Sequence, residues 1–110
     1  MNARDIKTIE IDTRTWFDKV NGNTYFAQII TVNFGRKNET TIINPFQYGY
    51  SSFEEFALKH VAKVLKLRKP LDVYKWKDGK LTKNFALRST VRRGCKKREL
   101  LHIADGYYIY

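Results

Sequence analysis

The chain has 110 residues, 43% hydrophobic and 15% aromatic, enough for one domain with a single core and no metal or disulfide staple. A formal net charge of +10 is unevenly placed: the first 58 residues carry 6 Lys+Arg against 7 Asp+Glu, and the remaining 52 carry 15 against 4. One cysteine excludes an intramolecular disulfide, the opening MNARDIKTIEID lacks the apolar run of a secretory signal, and no stretch is long enough to cross a bilayer. A cytoplasmic protein with no membrane partner is therefore expected.

Residues 6–17, IKTIEIDTRTWF, alternate as a strand with Ile9, Ile11, Thr13, Thr15 and Phe17 on one face. Ile6, Thr8, Glu10, Asp12, Arg14 and Trp16 make a mostly polar second face. Asn21-Gly22 predicts a tight turn, because both residues tolerate positive φ. TYFAQIITVNF (24–34) is a second strand, GRKN a turn and ETTIINPF (39–46) a third, with Pro45 marking an edge or a strand end.

Residues 51–69 carry the strongest periodicity. Phe53, Phe56, Ala57, Val61, Val64 and Leu65 trace one apolar stripe of a helix over about 52–68. Ser51 or Ser52 is the expected N-cap, boxed by Glu54 or Glu55, with Pro70 as the stop. LDVYKWK (71–77) before Asp78-Gly79 reads as a strand entering a tight turn. FALRSTVRR (85–93) reads as a strand with its arginines outward, CKKRELLHIA (95–104) as a short helix, and YYIY as a last strand or an aromatic anchor. The sum predicts a single α+β domain over 1–110: an antiparallel sheet of three to five strands, opening with a meander, with the main helix packed on it.

Catalytic chemistry finds little support. His60, His102 and Cys95 lack metal-ligand spacing, and His60 falls in the helix stripe as a core or boundary residue. Arg92, Arg93, Lys96, Lys97 and Arg98 around Cys95 would lower its pKa, yet His102 is its only nearby base in sequence. Clustered acids, P-loops and dinucleotide glycines are missing, so no cofactor or metal is expected, and a metal-dependent nuclease is the third reading. The positive signal is basic. Lys63, Lys66, Arg68 and Lys69 lie at the helix C-terminus, Tyr74 and Trp76 alternate with lysines, and Arg88, Arg92, Arg93, Lys96, Lys97 and Arg98 form the densest run. Cations release counterions from phosphates and exposed rings stack on unpaired bases, although Tyr74 and Trp76 read equally well as rings covering the sheet. With no sequence-reading motif present, the leading expectation is a non-enzymatic binder of DNA or RNA, monomeric or homodimeric.

Three stretches, WFDKVNGNTYF (16–26), FGRKNE (34–39) and PFQYGY (45–50), resemble segments of small, functionally unassigned proteins of tailed bacteriophages. The resemblance spans roughly Ile6 to Tyr50 and carries over no catalytic residue. It implies a phage accessory product working in the host cytoplasm. It also frames the runner-up reading: an interaction protein that modulates a host defence or nucleic-acid-processing enzyme through the same basic surface.

Overall fold

The computed structural model describes residues 1–105 of the chain, and the YYIY stretch lies outside them. A 3-10 turn, Ala3–Asp5, leads into β1 (Thr8–Asp18), β2 (Asn23–Val32) and β3 (Thr40–Tyr48). Helix α1 (Phe53–Val64) is followed by the short strands β4 (Tyr74–Lys77) and β5 (Lys80–Lys83), then β6 (Ala86–Arg92) and helix α2 (Lys97–Ala104). The fold is α+β: a four-stranded sheet ordered β3-β2-β1-β6, and a separate β4-β5 ribbon. Among the described residues no helix is long and apolar enough to cross a membrane.

The meander forms as its turn chemistry dictates. Gly22 takes φ +70° and its N–H donates to Asp18 O at 2.7 Å. The Asp18 carboxylate accepts from the Asn21 side chain at 2.8 Å, and this bond holds it below its ordinary pKa. A second joint lies where the sequence pattern predicts strand, just past the end of β2. Asn33 is fully buried at φ +58°, its Oδ1 accepting from the Lys7 and Thr8 amides and its Nδ2 donating to Asp5 O. One side chain thus ties the N-terminal segment to the end of β2. On β3, Pro45 sits at a bulge in the β2 pairing, where its missing N–H breaks no ladder bond.

The fourth strand differs from the expected antiparallel order: β6 pairs with β1 in parallel, Thr8 with Ala86 through Arg14 with Arg92. The cause is α1. Its 12 residues span about 18 Å and carry the chain from the end of β3 back toward the start of β1, so the next strand runs the same way as β1 and β3. Ala57 and Val61 bury against Ile9, Ile11, Ile30, Val32 and Ile42, and Phe53 is buried against Phe26, while Phe56 and Val64 lie at the stripe's margin, 36% and 47% exposed. His60 is half-buried and donates from Nε2 to Ile43 O at 2.9 Å.

Both ends of α1 depart from expectation. Ser52 is left-handed at φ +59° and its side chain makes no capping bond, so the serine–glutamate box does not form. At the other end the helix stops at Val64, before Arg68. Leu67 N–H donates to Ala62 O at 2.9 Å and Lys66 N–H to Lys63 O at 3.2 Å, a Schellman closure with Lys66 left-handed at φ +55°. Glycine is the residue suited to that position. Lys66→Gly is expected to stabilise the fold by about 0.5–1 kcal/mol, seen as a Tm higher by a few degrees in a calorimetric scan. An unchanged or lower Tm would count against the closure.

The second face of the sheet is covered too. Leu100 and Ile103 of α2 are fully buried over Ala27 and Ile29, ringed by Trp16, Tyr25, Ile43 and Phe46. The face of β1 that reads as polar is therefore half interior, and Arg14 is buried beside Asp12 at 3.3 Å. Cys95 lies under the same helix. Burial first, and Glu99 second, push its thiol above the ordinary range despite the surrounding cations, reversing the expected activation.

Candidate nucleic-acid interface

All twelve residues read from sequence as the binding surface are exposed: Lys63, Lys66, Arg68, Lys69, Tyr74, Trp76, Arg88, Arg92, Arg93, Lys96, Lys97 and Arg98. The fold does not gather them in one patch. Lys63, Lys66, Arg68 and Lys69 sit at the end of α1, beside the root of the ribbon. Arg93, Lys96, Lys97 and Arg98 surround the β6–α2 link at the opposite end of the sheet. There the Arg93 guanidinium lies 5.9 Å from the Phe53 ring centroid, and Lys97 Nζ lies 5.5 Å from that of Trp16.

Strand β6 joins the two ends. Its seven residues span about 20 Å from its first residue to its last, and Arg88 and Arg92 point from the same face of this edge strand. The face they share with β1 forms a shallow concavity of about 480 Å³ lined by Arg88, Thr90 and Arg92 against Glu10, Asp12 and Thr31. Its charges are mixed. Along the outer edge Arg88 and Arg92 of β6 lead to Lys96 and Lys97 at the start of α2.

Four further cations escape sequence reading. Arg4, Lys7, Arg36 and Lys37 collect with Asp5 and Asn38 around a depression at the ribbon end of the sheet. Next to it, residues 1–3 line a hollow with Lys66, Arg68 and Lys69, which extends the basic surface across that end. These cations come from a half of the chain that is close to neutral, so composition held no sign of them. Only the turn pinned by Asn33 brings them together.

Ion pairing does not account for the excess charge. Among the described residues the one carboxylate–cation pair is Arg14 with Asp12, and none of the 15 Lys and Arg residues after Leu58 joins a described carboxylate. Among the described residues no three His, Cys, Asp or Glu side chains come close enough to hold a metal ion. Compared with protein-family models, curated proteins and solved structures, the chain finds no match.

Proposed function

We propose that this chain binds nucleic acid without processing it, its cations holding phosphates from the ribbon end, along the β6 edge, to the β6–α2 link. The observation that carries the reading is the set of exposed cations that pair with no carboxylate among the described residues, grouped at two ends of the sheet with β6 between them. A surface of this kind repels itself unless a polyanion neutralises it, and phosphates do so with release of counterions. The acids that a nuclease would need are not clustered among the described residues. The contacts proposed are to phosphates, which carry no sequence information, so binding independent of sequence is expected. The phage resemblance supports an accessory role in the host cytoplasm.

The test is anisotropy titration of labelled DNA and RNA across a range of salt. The affinity is expected to fall steeply as salt rises, with a slope near −0.7 to −0.9 per phosphate contact. Arg92→Glu/Arg93→Glu/Lys97→Glu is expected to weaken binding at least about tenfold and to flatten that slope by about two to three units. Circular dichroism of the variant controls for folding. Absence of binding at low salt would overturn the reading, and a partner captured from host lysate that survives high salt would favour protein modulation in its place.

A further inference from the structure

The β4–β5 ribbon has no role in the core. It turns through Asp78 and Gly79, at φ +52° and +74°, the two consecutive positive values of the tightest hairpin turn. The two strands pair with each other and belong to no other sheet. Its root is closed by Asn84 N–H to Val73 O at 2.7 Å and Asn84 Nδ2 to Asp72 O at 2.8 Å. A ribbon of this size is marginal on its own.

Its two faces are sorted. Register pairs Tyr74 with Lys83 and Trp76 with Leu81, so Tyr74, Trp76, Leu81 and Lys83 share one face. Lys75, Lys77 and Lys80 take the other. The rings are bare: Trp76 is 75% exposed, Tyr74 52% and Leu81 55%. The alternative raised by the sequence, rings covering the sheet, does not hold. Trp16, Tyr25 and Phe46 do that work on one face and Phe26, Phe53 and Phe56 on the other.

We propose that this ribbon is a stacking arm for single-stranded nucleic acid, an inference that rests on the nucleic-acid reading above and adds strandedness to it. Trp76 and Tyr74 supply flat apolar surfaces two residues apart on one strand, so they stand on one face about 7 Å from each other. Bases spread along a single strand reach such rings, whereas a duplex hides its base faces in its own stack. The charge fits the same occupant. Four lysines against one aspartate surround the rings, and a ribbon only two strands wide lets the long lysine stems reach phosphates at its edges. An apolar protein groove would suit the rings, but not the lysines that flank them at every second position.

The experiment compares a short single-stranded oligothymidylate with a duplex of the same length, using wild type, Trp76→Ala/Tyr74→Ala, and Trp76→Phe/Tyr74→Phe. The expected result is a loss of about tenfold or more on the single strand for the alanine pair, little change on the duplex, and recovery with phenylalanine. In a Trp16→Phe background, emission from Trp76 is expected to be quenched as the single strand binds. Equal losses on both substrates, or tight single-strand binding by the alanine pair, would overturn the arm while leaving the phosphate reading intact. Failure of wild type to bind either substrate would overturn both. Ring-dependent self-association without nucleic acid would assign the arm to a second copy instead.

Discussion

Gln28→Ala is expected to remove about 3–5 kcal/mol, a large share of what a domain of this size holds in reserve. Gln28 is fully buried in the face of the sheet beneath α1. Its Nε2 donates to Thr13 Oγ1 at 3.1 Å and to Phe53 O at 2.7 Å, and its Oε1 accepts from Asn44 Nδ2 at 2.7 Å. Asn44 Oδ1 in turn accepts from Gln47 Nε2. The row therefore crosses three strands and fastens the first residue of α1 to the sheet. Truncation leaves the Phe53 carbonyl and the Asn44 amide without that partner and opens a hole of several heavy atoms.

Gln28→Leu separates the two contributions. It refills most of the hole, so a loss of about 2–3 kcal/mol would measure the broken polar row alone. Urea denaturation followed by circular dichroism reads both values. A cost under about 1 kcal/mol for the leucine variant would mean that the row contributes little.

The second large effect is expected at Gly49. A Cβ there would stand 2.5 Å from Phe26 Cε1, closer than packed carbons come, and a tight 3.0 Å from Cδ1. Phe26 has no room to retreat, since it is fully buried with the Phe53 and Phe56 ring centroids each 5.1 Å away. Gly49→Ala is therefore expected to cost about 3 kcal/mol, at the upper end for an overpacked site. Adding Phe26→Leu removes the obstructing ring edge. The double variant should lose clearly less than the two single losses combined, a coupling that a double-mutant cycle measures directly. Simple additivity would show that the glycine is needed for some other reason.

Both sites show where sequence reading stopped. Alternation and Asn21-Gly22 made the meander legible, and the 3.6-residue stripe made α1 legible. Thr13 reads as part of the Ile9–Ile11 face, but nothing in the sequence links it to Gln28 and Asn44, because only pairing across strands reveals that they satisfy one another. Gly49 looks like loop punctuation until the ring above it is known. The direction of β6 depends on which end of the sheet α1 returns the chain to, and no residue in β6 encodes that. Helix α2 offers only Leu100 and Ile103 as buried residues, too few to announce that the Trp16 side of β1 would be covered.

The candidate surface was legible residue by residue but not as a shape. Every cation of that surface is exposed, yet periodicity does not reveal that they lie at two ends joined by β6. Nor could it decide whether Trp76 faced the core. Strand β5, which settles that question by fixing the ribbon's register, was missed because KLTK has too few apolar residues to signal a strand.

The parallel pairing of β1 with β6 also governs how the molecule is reached in time. β1 emerges early, yet its second partner follows the whole meander, α1 and the ribbon, so the contact order of this pairing is high. Until Ala86–Arg92 arrives, one side of β1 is an open row of amides and carbonyls next to Ile9 and Ile11. Folding is therefore expected to be slowed by this pairing, and a chain with the β1 edge still open is the form expected to pair most readily with its neighbours. Yield on refolding should consequently depend on protein concentration more than the small size of the domain suggests.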